Sequence, residues 1–146
     1  MKIPDVNVLV NALNPDAEQH EISRRWLERA LSGQATVGFS WLVLIGVLRL
    51  TTMRQVFDRP FTAEEAIGWV RSWLEQPTAG VVQPTARHAD ILAGLLDAAG
   101  RAGNLVNDAH LAALAVEHRA EVVTFDSDFA RFPGVRWERP TIEEPS

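Results

Sequence analysis

The chain has no cysteine among its 146 residues, which excludes disulfides and thiolate metal sites and leaves oxygen and imidazole as the ligands for any metal. It has no run of eighteen apolar residues. Its N-terminus also lacks the basic, apolar and small-residue succession of an export signal, so neither a membrane span nor secretion is expected and the cytoplasm is the simplest location. There is no basic excess either: 14 Lys and Arg stand against 19 Asp and Glu, a formal net charge of −5. That balance argues against a protein that coats nucleic acid. It does not argue against a local phosphate-binding rim, because most of the basic residues are arginines, the side chain suited to bidentate phosphate contact.

The length fits one domain with a real core, expected over residues 1–139 with a loosely held tail over 140–146. Short apolar runs alternate with helical patterns. Ile3 to Val10 reads as a short buried strand running into a turn and ending near Asp5, with Pro4 awkward because it cannot donate a ladder hydrogen bond. Glu18 to Leu31 has the spacing of an amphipathic helix, stopped by Ser32-Gly33. Ala35 to Gly38 is a second strand. Ser40 is placed to cap a helix from Trp41 to about Thr51 that is apolar all round, and is therefore expected to be buried or part of an interface. Thr62-Ala63-Glu64-Glu65 opens a helix to about Glu75 with a capping box. Val81-Val82 is a third strand, Thr85 is placed to cap a helix through about Ala98, and Gly100 and Gly103 mark the loop before a helix at Asp108. Val122 to Phe125 and Val135 to Trp137 complete the pattern. Such alternation predicts βαβ units, an α/β fold with a mostly parallel sheet covered by helices on both faces.

Within this frame four aspartates stand where the chain leaves a strand or enters a helix: Asp5, Asp108, Asp126 and Asp128. In an open parallel sheet the functional crevice lies outside the carboxyl ends of the strands, so all four are expected to converge at one edge. Carboxylates that close require a cation or protons between them. A hard divalent ion, Mg²⁺ or Mn²⁺, fits an oxygen-only donor set, and such a site suits phosphoryl chemistry with an activated water. Asp5 is the expected central ligand. Asp108 gains from the dipole of its helix, and Asp126 and Asp128 both reach inward only if the chain turns between them. Each acid alone also has an ordinary reading as a helix cap or turn residue; the joint pattern is what carries the inference.

The motifs Asp5-Val6-Asn7-Val8-Leu9, Asp108-Ala109-His110-Leu111-Ala112-Ala113 and Thr124-Phe125-Asp126-Ser127-Asp128-Phe129 resemble those of the PIN-domain ribonucleases, and within them the VapC-type toxins of bacterial toxin–antitoxin pairs. The resemblance spans about residues 1–137. It implies a three-layer α/β/α sandwich, a Mg²⁺- or Mn²⁺-dependent endoribonuclease acting on RNA, a homodimer, and a small antitoxin that blocks the site. Under that reading Asp5, Asp108 and Asp126 hold the metal, Asp128 supports them or a second ion, and Asn7, Arg49 and Thr124 are the candidates for substrate contact.

One departure stands out. The family usually has a glutamate about six residues after a serine or threonine such as Ser40, and the chain has Gly46 there, with no acid anywhere from Gly33 to Phe57. A mid-helix glycine costs roughly 1 kcal/mol relative to alanine, so close approach of a backbone or substrate is its expected role. Arg49 lies three residues on, on about the same face, placed to meet an RNA phosphate or an aspartate. Val6 replaces the hydroxyl residue often found between the Asp and Asn. Two other readings compete: a PIN-like module that has lost catalysis with its glutamate and only binds RNA or protein, and a phosphatase with an aspartyl nucleophile, which normally wants a second acid where Asn7 stands. The histidines His20, His88, His110 and His118 show no metal-binding spacing. Trp26, Trp69 and Trp73 lie on helix stripes expected to pack in a core or dimer, and Trp41 is a candidate interface residue.

Overall fold

The strand Lys2–Pro4 (β1) is the axis of the computed structural model, which describes residues 1–141. Val37–Phe39 (β2) and Ala79–Val81 (β3) extend the sheet on one side, Glu121–Val123 (β4) and Trp137–Glu138 (β5) on the other, in the order β3-β2-β1-β4-β5. Every pairing is parallel, with Lys2 opposite Val37 and Glu121. The helices are Val6–Leu13 (α1), His20–Ser32 (α2), Trp41–Thr51 (α3), Ala63–Leu74 (α4), His88–Ala99 (α5) and Val106–Glu117 (α6). The strand order reverses after β3. Right-handed crossovers then place α1–α4 over one face and α5 and α6 over the other; α1 packs on α2 and α3, α3 on α4, and α5 on α6. The result is the three-layer α/β/α sandwich with a parallel sheet that the alternating pattern predicts. Part of the tail expected over 140–146, residues 142–146, lies outside the described residues.

The first strand stops at Pro4, beside the Asp5 end expected of it, but residues 6–10, read as a turn, open α1 instead. Valine-rich sequence hides the helix here because α1 buries Val8, Leu9, Val10, Ala12 and Leu13, leaving little polar face to reveal a helical period. Asp5 decides the outcome: its carboxylate accepts from the Val6 N–H at 2.7 Å and starts the helix. Pro4 is tolerated as the strand's last residue, with the next N–H, that of Asp5, continuing to the Val123 carbonyl at 2.9 Å.

The capping box at Thr62 forms, with Glu65 N–H to Thr62 Oγ1 at 3.1 Å and Thr62 N–H to Glu65 Oε1 at 3.0 Å. Ser40 occupies the cap position of α3 but makes no side-chain cap bond. Thr85 is not the cap residue of α5, which begins three residues later, but its hydroxyl accepts from the Arg87 N–H at 3.2 Å and donates to Glu117 at 2.6 Å. Helix α3 is only half enclosed. Val43, Leu44, Val47 and Thr51 are buried, while Trp41, Leu42 and Ile45 are 46, 41 and 54% exposed. Among the tryptophans expected to pack in a core or dimer, Trp73 stacks on Phe39 with ring centroids 6.1 Å apart, Trp26 is half-buried and Trp69 is 46% exposed.

Candidate metal centre

The carboxyl ends of β1 and β4 are adjacent at the point where the chain's crossovers change direction, and both strands end in polar residues aimed at one cleft. Asp5 follows β1, is 6% exposed, and is held from three sides: Val6 N–H donates to Oδ1 at 2.7 Å, and Thr124 Oγ1 (2.8 Å) and Asn7 Nδ2 (3.4 Å) donate to Oδ2. Thr124, directly after β4, is fully buried. Its oxygen also accepts from Asn7 Nδ2 at 3.2 Å and from the Asp126 N–H at 3.0 Å. Asn7 Oδ1 accepts from the Phe125 N–H at 3.2 Å. This network locks the end of β4 to the start of α1 and sets the position of Asp5 and Asp126. Thr124 therefore lies behind the carboxylates, away from the cleft surface.

The turn required between Asp126 and Asp128 exists. Asp126 caps a short 3₁₀ segment, Ser127–Arg131, by accepting from the Asp128 N–H at 2.8 Å, which swings both side chains to the same side. Asp108 enters from the first turn of α6. Carboxylate oxygens of Asp108, Asp126 and Asp128 lie within 4.8 Å of one another. Asp5 stands beside this trio, near enough for its charge to act on Asp108.

The electrostatics follow from that crowding. Burial, then the charges of Asp5 and Asp126, a hydrogen bond with Asp126 and the charge of Asp128 push the Asp108 carboxyl up to about 7. Asp5 is also raised, chiefly by burial and further by Asp126, although the hydrogen bonds from Thr124 and Val6 oppose the shift. Among the described residues no basic side chain is paired with the trio on its buried side; Arg131 Nε donates to Asp128 at 3.2 Å on the exposed rim. Oxygen-only donors, excess negative charge and a proton retained near neutral pH together fit a hard divalent cation.

The cleft in front of the acids has a volume of about 450 Å³ and is lined by Leu42, Ile45, Gly46 and Arg49 of α3 and by Asn104 and Asn107 opposite. Arg49 is exposed and its guanidinium has no ion pair or hydrogen bond with any described residue, so it is not spent on an aspartate. Gly46 faces the cleft, and the close approach it permits is by a side chain: a Cβ there would meet Val6 Cγ2 at 3.0 Å. The two departures noted in the sequence are thus one packing contact. Asn104 and Asn107 escape sequence reading as cleft residues; Asn107 adjoins Asp108, but nothing in its spacing separates a cleft position from a loop position.

A parallel α/β/α sandwich with an acid cluster at its switch point defines a class of metal-site domain. The PIN domain family model matches residues 2–135, and the chain belongs to that family. Among curated relatives it is 56% identical to Ribonuclease VapC37 of Mycobacterium tuberculosis over 140 residues, covering 96% of this chain and 97% of that one. It is 38% identical to Ribonuclease VapC33 of the same organism over 143 residues, covering 98% and 100%. Solved structures share the fold: VapBC2 from Rickettsia felis, crystallised with a DNA fragment from its promoter, superposes with a TM-score of 0.69 at 20% identity over 94% of this chain and 97% of that one. Mycobacterium tuberculosis VapC20, described as a sarcin-ricin loop cleaving toxin, does so with 0.66 at 21% identity over 93% and 99%.

Proposed function

We propose that this chain is a divalent-metal-dependent endoribonuclease, the toxin of a toxin–antitoxin pair, with Mg²⁺ or Mn²⁺ as its cofactor. The observation that carries the reading is the convergence of Asp108, Asp126 and Asp128 within 4.8 Å, with Asp5 beside them, at the sheet's switch point. Kinship with ribonucleases of 56 and 38% identity over nearly the full chain supports RNA as the substrate.

Asp108, Asp126 and Asp128, with Asp5, would hold the cation. When bound, it supplies a more acidic water and neutralises charge developing on the phosphoryl group. The protein's own residues supply the rest. Thr124 and Asn7 fix the Asp5 carboxylate, the Asp126 cap fixes Asp128, and Arg49 contacts a backbone phosphate across the cleft. Asp108, protonated in the metal-free site up to about pH 7, gives up that proton when the ion is held. No covalent intermediate on the protein is required. The test is cleavage of total RNA by the purified chain with Mn²⁺, with Mg²⁺ and with EDTA, beside Asp5→Ala. Discrete metal-dependent fragments absent from the variant are expected; a folded chain without cleavage in any metal would favour the binding-module reading, with Gly46 as its cause.

A cognate antitoxin and a second copy of the chain are the proposed protein partners. An apolar groove of about 320 Å³ between α2 and α4, lined by Leu13, Leu27, Leu31, Trp69 and Trp73, suits an inserted antitoxin segment, and the exposed Trp41, Leu42 and Ile45 of α3 suit a dimer face. Among the described residues no helix is long and apolar enough to cross a membrane, in keeping with a cytoplasmic site of action. Co-purification with the product of a neighbouring short reading frame, and the mass of the isolated chain by light scattering, test the two partners.

A further inference from the structure

We propose that His88 and His110 form a second metal site, on the α5–α6 face, for a borderline divalent ion of the Cu²⁺ or Ni²⁺ class. The two residues are 22 apart in sequence and on different helices, which is why spacing along one helix does not reveal them. His88 opens α5 and His110 lies in α6. Their rings meet at 72° with centroids 4.7 Å apart, and His88 Nε2 is 2.9 Å from His110 Nδ1.

The group behind them is built like the support of a metal-bound imidazole. Glu117, whose side chain is 0% exposed, accepts from His88 Nδ1 at 2.6 Å through Oε2. Its Oε1 is occupied by the Thr85 N–H at 2.9 Å and the Thr85 hydroxyl at 2.6 Å. An ionised carboxylate accepts only, so Nδ1 of His88 carries the proton and its Nε2 presents a lone pair. This carboxylate–histidine relay fixes tautomer and ring orientation, and is the usual outer support of a metal-ligating histidine. Between Nε2 and the His110 nitrogen a single proton is shared.

A metal ion bound to both nitrogens would displace that proton and sit to one side of the line between them. Two imidazole nitrogens, each about 2.0–2.1 Å from an ion and at right angles to each other, lie about 2.9 Å apart, the separation observed here. Right-angled nitrogen ligands belong to the tetragonal preference of Cu²⁺ and Ni²⁺. Binding requires the rings to tilt until their lone pairs converge, and His110 to carry its proton on Nε2. The His88 side chain is 14% exposed, so the ring is not sealed from solvent, and water would complete the coordination. The donors differ in kind from the oxygen-only cluster that Asp108 serves on the same helix, so α6 carries sites for two classes of metal.

The test uses untagged full-length chain with excess Mg²⁺ to occupy the aspartates, titrated with Cu²⁺ by calorimetry and electron paramagnetic resonance. The expected result is one Cu²⁺ per chain with coupling to two imidazole nitrogens. That signature is lost in His88→Gln and in His110→Gln and retained in a His20→Gln, His118→Gln double variant. Glu117→Gln weakens affinity about 10–100-fold. Retained RNA cleavage in the histidine variants confirms their fold and separates this site from the nuclease reading. On the unaltered chain, Zn²⁺ should shift the ¹⁵N resonances of His88 Nε2 and His110 Nδ1 and leave those of His20 and His118 in place. Persistence of the two-nitrogen signature in either single variant, oxygen-only Cu²⁺ binding, or no binding would overturn the proposal.

Discussion

Strands β1 and β4 build two acidic regions, and the chain treats them in opposite ways. On one face of the sheet Lys2 bridges Glu121 of β4 and Glu138 of β5, bonding to both, the second at 2.6 Å. Burial raises the Glu121 carboxyl, but the hydrogen bonds with Lys2 and Glu138 and the charges of Lys2 and Arg136 together outweigh it and hold the group below its usual range. Three residues on, just past β1, Asp5 joins Asp108, Asp126 and Asp128 with no lysine or arginine among the described residues on the buried side, and the Asp108 carboxyl is pushed up to about 7. The fold can neutralise acids across these strands and does so where only structure is at stake. At the carboxyl end it leaves the charge for a cation from outside.

The largest effect separating the two regions should be on catalysis. Asp108→Ala is expected to lower RNA cleavage by at least about a thousandfold, equivalent to about 4 kcal/mol of barrier, with an unchanged circular dichroism spectrum. Glu121→Gln should leave cleavage near the parent rate. Full activity in purified Asp108→Ala would remove the aspartates from the chemistry.

The next effect is on metal affinity. Gly46→Glu adds a carboxylate facing the acid cleft but must push on Val6, 3.0 Å from the new Cβ. Gly46→Glu with Val6→Ala is therefore expected to bind Mn²⁺ about tenfold more tightly than Gly46→Glu alone, a gain of about 1.4 kcal/mol. Equal affinities by calorimetry would mean that the glutamate does not need the space Val6 occupies.

A smaller, graded effect is the pH dependence. Because the folded Asp108 value, about 7, lies above the unfolded one, this group favours the metal-free fold fully below about pH 4, and that contribution is lost as pH rises through 7. Metal must displace the same proton. Mn²⁺ affinity should therefore climb between about pH 6 and 8, a slope that Asp108→Asn abolishes; a flat profile in the parent protein would contradict the shared proton.

The smallest effect belongs to the neutralised region. Lys2→Met should cost about 0.5–1 kcal/mol at pH 7, modest because its partners are partly exposed. Glu121 is depressed in the folded state, so its contribution exists above the normal carboxylate range and fades as pH falls. The loss measured by denaturant unfolding should shrink by pH 3, and an equal loss at both pH values would point to packing of the lysine stem.

The fold class was legible because the helical stripes of α2, α4 and α6 and the short runs between them have different periods. The aspartates were legible because strand ends and helix starts are marked by local chemistry. Helix α1 was not, since it is buried widely enough to hide its period and only the Asp5 cap distinguishes helix from turn. Thr124 read as a cleft residue, whereas its place behind Asp5 depends on a contact across 119 positions of sequence. The fit of Val6 to Gly46 was equally hidden: each departure was visible alone, and only the approach of α1 to α3 joins them.

That long-range contact between Asp5 and Thr124 has a consequence for how the protein comes into being. β1 is made well before the partner strand that holds its aspartate and before two of the acids beside it. A ribosome synthesises all the helices between Asp5 and β4 before the site's parts are all present, and pairings this distant form late in folding. A nascent or prematurely ended chain therefore carries Asp5 without its cluster. The ribosome making a ribonuclease of this design is spared its activity until Asp126 and Asp128 have been added.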